Sequence, residues 1–551
     1  MKLHIRKQQI SKLRSKKLCM QEYREEYKKK SKADCKNDYK NDWIPVSAPE
    51  EQGIPSIAIV HFLEQIRARD LELHSLQVIR NGSLCINAVA APYRWDSFHR
   101  IFSAAKGIVA TAMLFAIQEG YFHMDDPVIP LLPSEWIPDE RDERWDRLTV
   151  YHLLTMTSGH DCDTFFKMWG KSSCWVKTFF ETPPVYEPGT FFCYDMGAQY
   201  VMNEIIARQT GLDTGKYLKR RFFDPLGIEY TNNYTEPERL FFSSSIQFQP
   251  DALTKISQFY LQKGVWNGEQ LLRKDLAEEL GAHHCPSFHY DPSGITGQPG
   301  GTWEGYGLHM WRMEGGGYAF RGGQGQVGMV LPSENMAVGL MCAAHNHGEL
   351  VDIFHQTIRG ECFKRPLPVD PAASALAKSM LADLNLAPAN VSDRSSLAEK
   401  YSNVKYEFVP NLVGQKELSF TFETTRVSIH SVSETEEKTV LCGLGGAWPE
   451  GEQGYIMNRN HPDHISDLDR IFGYDTHKTM YSGGWRSPNV FVFYMRSASL
   501  LCDYRYECTF LEDELVVKLS FNTIMPRNKY KDRTKAPDVY IYGRRKGENE
   551  E

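Results

Sequence analysis

Ser103 and Lys106 lie three residues apart in His99-Arg100-Ile101-Phe102-Ser103-Ala104-Ala105-Lys106-Gly107, where a polar stretch gives way to an apolar one. The apolar run predicts a helix ending near Gly120, with Ser103 at its start. A hydroxyl in that position faces the positive end of the helix dipole, which favours a developing alkoxide. Three residues is nearly one turn, so the lysine shares the serine's face and can approach its oxygen. A lysine held in an apolar wall has a depressed pKa and can serve as a base. The pair reads as an activated nucleophile of the Ser-Lys kind. The spacing alone is weak evidence, because Ser402-Asn403-Val404-Lys405 repeats it in a polar stretch that predicts no buried helix start.

The surrounding chain is more specific. In order it carries Pro49-Glu50-Glu51-Gln52-Gly53, Ala91-Pro92-Tyr93-Arg94, Glu119-Gly120 and Leu131-Leu132-Pro133. Leu148-Thr149-Val150-Tyr151-His152-Leu153-Leu154 follows, with Thr157-Ser158-Gly159, then Tyr186-Glu187-Pro188-Gly189 and Phe223-Asp224-Pro225-Leu226-Gly227-Ile228. From residue 49 to about 358 this ordered set resembles the β-lactamase-like serine hydrolases, which include class C β-lactamases, D-amino-acid peptidases and esterases.

The resemblance implies further site residues. The family's Tyr-x-Asn element matches Tyr194-Asp195-Met196, so Tyr194 is expected to relay a proton to the leaving group. Met196 stands where asparagine is usual, and a thioether cannot donate the amide that orients lysine and substrate. This departure points away from β-lactamase activity and towards an esterase or amidase. The family's Lys-Thr-Gly or His-x-Gly strand matches Arg321-Gly322-Gly323-Gln324, with backbone N–H groups of Ser103 and Gln324 forming the oxyanion hole. Arg321 keeps the positive charge but does not deprotonate, and its planar fork suits a substrate carboxylate. The substrate class is therefore a small molecule or peptide with an ester or amide carbonyl, and neither metal nor organic cofactor is called for. A catalytically silent relative that holds a peptide or metabolite in the same cleft is the alternative.

The elements that must position these residues are partly legible. An amphipathic helix is expected over 57–69, and a hairpin over 73–80 and 83–90 about the Asn81-Gly82 turn. Helices are expected over 148–156 and 197–210, the second closed by Gly211. Strands are expected over 306–313, 318–320, 326–331 and 336–342. After a Pro-rich stretch at 364–371 and a helix over 373–386, short alternating strands follow, for example 504–511 and 515–521 around Glu512-Asp513-Glu514. The expected architecture is α+β. A β-lactamase/transpeptidase-like domain at 43–365 has an antiparallel sheet flanked by helices and a helical subdomain carrying Ser103 and Tyr194. A small, mostly β domain occupies 366–545.

Composition narrows the remaining classes. Of 551 residues, 42% are hydrophobic and 24% charged, and the net charge of −7 offers nothing global to nucleic acid or anionic membranes. Residues 1–42 read as a basic flexible tail without an apolar stripe, either a solvated arm or one that meets nucleic acid or an acidic partner. No secretory leader or membrane-spanning run is visible, so a cytoplasmic protein with its 12 cysteines reduced is expected. His283-His284-Cys285 and His345-Asn346-His347 lack metal-site spacing. No phosphate-binding loop or dinucleotide fingerprint is present.

Overall fold

The computed structural model describes residues 42–168, 171–232, 246–291, 294–297, 303–343, 347–434, 436–449, 453–454, 456, 479–497, 503–521 and 538–546. The basic tail up to residue 41 and His345-Asn346 lie outside the described residues. Helix α1 (Ser56–Ala68) leads to strands β1 (Leu73–Arg80) and β2 (Ser83–Val89). Asn81 and Gly82, at φ 50° and 76°, make the tight turn between them, as the Asn-Gly pair foretells. The helix after the nucleophile, α2 (Ala105–Gln118), is buried from Ala105 to Ala116. Next come α3 (Met196–Thr210), closed by left-handed Gly211, and α4 (Ala252–Leu261).

Strands β3 (Trp303–Tyr306), β4 (Trp311–Met313), β5 (Tyr318–Gly322), β6 (Gln326–Leu331) and β7 (Met336–Cys342) complete an antiparallel sheet of order β3-β4-β5-β6-β7-β1-β2. The single strand expected over 306–313 is thus two, broken where His309 adopts a left-handed φ of 56°. Helix α4 lies close on the sheet because Gly328 and Gly339 carry no side chain. A Cβ at Gly339 would stand 2.0 Å from Thr254 Oγ1. The expected helix over 148–156 is shorter, Val150–Leu154, started by the Thr149 cap.

Helix α5 (Pro371–Ala382) is capped by Asp370 and contributes Ala377 and Met380 to the core shared with the sheet. The remaining strands form a closed nine-stranded barrel. They are β8 (Lys405–Phe408), β9 (Gln415–Phe422), β10 (Arg426–Ser433), β11 (Glu437–Gly443), β12 (Thr479–Ser487), β13 (Val490–Ser497), β14 (Asp503–Phe510), β15 (Glu514–Phe521) and β16 (Val539–Arg545). Neighbours are antiparallel except β11 and β12, and β8 pairs with β16 to close the ring. Closure leaves no free sheet edge. Inward residues of alternating strands, among them Phe420, Phe491, Phe493 and Phe510, fill a core of their own.

Barrel and sheet meet through charge. Arg496 donates from Nη1 and Nη2 to both oxygens of Glu72 at 2.5 and 2.7 Å, and Arg505 Nη2 adds a third bond at 2.8 Å. Burial opposes ionisation of Glu72, but Arg496, His74 and Arg505 overcome it and hold its carboxyl well below the ordinary range. Among the described residues no helix is long and apolar enough to cross a membrane.

Candidate active site

Phe102 turns the chain into the nucleophile. Its φ of 48° is rare for a side chain of that size, and the three-residue helix Phe102–Ala104 runs straight on into α2. Ser103 is half-buried at this entry and Lys106, one turn on, is 1% exposed. Lys106 Nζ lies 3.3 Å from Ser103 Oγ. Tyr194 comes from the loop before α3, with its ring face 4.6 Å (to the centroid) from the same ammonium. Serine, lysine and tyrosine, expected together, are brought together.

The glycine-rich strand end meets the nucleophile from the other side. A Cβ on Gly322 would fall 2.0 Å from the Ile101 carbonyl oxygen, and one on Gly323 3.5 Å from the Phe102 ring. Only glycine at 322 lets β5 pass this close to the Ser103 turn. Gln324 follows at φ 62°, turning the backbone between Gly323 and Gly325. Arg321 is 9% exposed, its guanidinium 5.5 Å from the centroid of Trp311, and Trp311 stacks on Tyr194 at 5.6 Å. The arginine is thus set into the aromatic wall beside the tyrosine, with little of it open to solvent.

Several groups were not singled out by sequence. Asp195, buried, caps α3 by accepting from Gly197 N at 2.7 Å, and Asp163 accepts from Met196 N at 3.0 Å. The aspartate before a helical run is a readable capping signal, whereas Asp163 carries none. His309 donates from Nε2 to the Leu153 carbonyl at 3.0 Å, which leaves Nδ1 as a lone pair with no partner among the described residues. Burial above all, helped by the nearby Lys106 and opposed by the Leu153 bond, pushes its pKa down to about 3, so the ring is neutral.

His284 and Cys285 make their described contacts elsewhere. His284 meets Tyr151 and the Glu279 carbonyl, and Cys285 points at the Thr155 carbonyl. Among the described residues no cluster of three His, Cys, Asp or Glu could hold a metal. In the second Ser-x-x-Lys, Ser402 accepts from Phe422 N while Lys405 begins a barrel strand and pairs with Glu417.

Residues 49–248 match the family model described as Beta-lactamase. A β-lactamase of Yersinia enterocolitica is 23% identical over 183 residues, covering 33% of this chain and 43% of that protein. Esterase EstB of Burkholderia gladioli is 27% identical over 180 residues, covering 29% and 45%. The chain therefore spans less than half the length of these curated relatives. The crystal structure of a penicillin-binding protein homologue from Caulobacter crescentus aligns with a TM-score of 0.43 and 15% identity, over 57% of this chain and 100% of that one. The matched segment contains the Ser103 turn, Lys106 and Tyr194, and it is similar to the β-lactamase-like serine hydrolases.

Proposed function

We propose that the protein cleaves an ester or amide through an acyl-enzyme on Ser103. One observation carries this reading: a buried lysine amine 3.3 Å from a half-buried serine hydroxyl at a helix start. Lys106 takes the Ser103 proton as Oγ attacks the carbonyl carbon. The oxyanion is held by the N–H groups of Ser103 and Gln324, which the close approach of β5 to the nucleophile turn supports. The Tyr194 hydroxyl passes a proton to the leaving group, and water attacks the ester carbonyl of the acyl-enzyme to release the acid. Met196 favours an ester or simple amide over a β-lactam, in line with the esterase among the relatives. Arg321 serves as an anchor for a substrate carboxylate at the cleft wall. The nine described cysteines are all free, in keeping with a reducing cytoplasm.

The test is intact mass spectrometry after exposure to a fluorophosphonate, and separately to a penicillin, with Ser103→Ala as control. We expect a fluorophosphonate adduct on Ser103 that the variant lacks. A stable penicillin adduct on Ser103 would move the substrate class to peptidoglycan-like amides. Folded protein that gains neither adduct would overturn the hydrolase reading in favour of a binding module.

A further inference from the structure

Tyr194 lies on a loop, and an indole from the sheet stands under its ring. Trp311 opens β4, pairing with Tyr306 of β3 on one side and Ala319 of β5 on the other. It is 7% exposed. Its ring stacks on Tyr194 with centroids 5.6 Å apart and planes 29° from parallel. Phe192, two residues earlier on the same loop, meets the indole edge to face at 6.4 Å. Trp311 therefore supports the loop at both positions. Tyr306 sets its ring at 87° to the indole, 5.2 Å away, and packs on Phe192 at 4.9 Å.

Each ring of the stacked pair also carries a basic group. Lys106 Nζ lies 4.6 Å from the centroid of Tyr194, and Arg321 Cζ 5.5 Å from that of Trp311. The sheet register accounts for the second contact. Arg321 is two residues from Ala319 and so shares its face of β5, which makes it the diagonal neighbour of Trp311 and long enough to reach it. Such contacts attract because ring faces are electron-rich, and an offset stack is the arrangement two rings prefer. Lys106, Tyr194, Trp311 and Arg321 thus form one connected row, drawn from α2, the loop, β4 and β5. Backbone bonds from Cys193 N to the Met156 carbonyl (2.9 Å) and from Asp195 N to Met156 Sδ (3.4 Å) hold the loop, but they do not choose the direction of the phenol.

We propose that Trp311 is a positioning residue for the proton relay, fixing the Tyr194 ring beside Lys106 so that the phenol meets the departing oxygen. The proposal rests on Tyr194 being the relay in acyl transfer to Ser103. In that step Oγ bonds to the carbonyl carbon, and the ester C–O bond breaks with its electron pair on the departing oxygen. Tyr194 gives that oxygen a proton, and Lys106, holding the Ser103 proton, restores Tyr194. Trp311 touches none of the reacting atoms. Its loss falls on leaving groups that need a proton and spares those that do not.

The experiment compares p-nitrophenyl acetate with benzyl acetate in the full chain, since both give the same acetyl-enzyme. p-Nitrophenolate departs unprotonated, whereas the benzyl alkoxide requires a proton. kcat/KM reports acylation, and fluorophosphonate titration of Ser103 counts competent sites, so partial unfolding of a variant does not enter. We expect Trp311→Leu to lower kcat/KM per site by about 100-fold for benzyl acetate and by under about threefold for p-nitrophenyl acetate. Trp311→Phe keeps a ring to stack on and should bring benzyl acetate cleavage to within about tenfold of wild type. Equal losses on the two esters, or a phenylalanine variant no better than leucine, would overturn the positioning role. If Trp311→Leu yields no labelled site, the same contrast is read in Trp311→Phe, where equal losses again overturn it. A labelled wild type that cleaves benzyl acetate no faster than Ser103→Ala would sink Tyr194 as relay and Trp311 with it. A wild type that never labels would remove the nucleophile itself, so the failures are distinguishable.

Discussion

Lys106 and Arg496 are both buried basic side chains, 1% and 2% exposed, and they are kept in opposite ways. Arg496 is clamped bidentate by Glu72, with Arg505 on the same carboxylate. That geometry fixes a permanent charge, because a guanidinium does not deprotonate and Glu72 is held ionised. The described contacts of the Lys106 ammonium are softer: a hydroxyl at 3.3 Å and the face of a phenol ring at 4.6 Å. Neither of these two contacts is an ion pair. The difference teaches where to look for chemistry in this chain. A buried guanidinium gripped by a carboxylate ties two parts of the molecule together, and a buried amine beside a hydroxyl and a ring face is where chemistry is sought.

The comparison breaks first at Lys106. Lys106→Met should lower the fluorophosphonate labelling rate of Ser103 by about 100- to 10,000-fold, the usual range for a lost general base. Its thermal midpoint should be unchanged or higher, since an apolar chain of similar length replaces a buried ammonium. A large loss of stability with labelling intact would mean that Lys106 holds the fold as Arg496 does.

Glu72 is the mirror case. Glu72→Ala takes the bidentate carboxylate from buried Arg496, while Arg505 keeps Asp70, and should cost about 3–5 kcal/mol in urea unfolding. Protein that remains folded should still label at Ser103, because the ion pair lies outside the site. The pH dependence has a definite sign. The folded carboxyl titrates below the unfolded value of 4.5, so its contribution is fully present above that pH and is lost as pH falls through the folded value. Unfolding free energies measured between pH 7 and 3 should therefore fall less steeply below pH 4.5 in Glu72→Gln than in wild type.

What the sequence discloses follows the range of the interaction. Ser103 and Lys106 lie within one helical turn, so residue types and spacing suffice to pair them. Asn81-Gly82 likewise announces its hairpin, since both residues accept positive φ. Tyr194 is reachable because its local motif is one the family repeats. Asp163 meets the Asp195 cap across a loop of about thirty residues, and no period or turn signal marks such a meeting. His309 reads as part of a strand because nothing in a histidine advertises a left-handed φ. Alternation foretells the β character of the later strands. Closure into a barrel depends on Tyr406 pairing with Arg545, a register that alternation does not encode.

Ser402 and Lys405 supply the control that sharpens the comparison. They have the spacing of the nucleophile pair without its setting. Lys405 is largely exposed and its Nζ is 3.5 Å from Glu417, a surface pair of the kind worth under about 1 kcal/mol. Ser402 spends its hydroxyl as an acceptor for Phe422 N in the barrel wall. Lys405→Met should shift stability by less than about 1 kcal/mol, and Ser402→Ala should leave the Ser103 adduct at wild-type yield. Peptide mapping of labelled protein should find no adduct at Ser402. An adduct there would show that three-residue spacing alone activates a serine, and that burial, helix entry and an aromatic lid over the lysine add nothing to it.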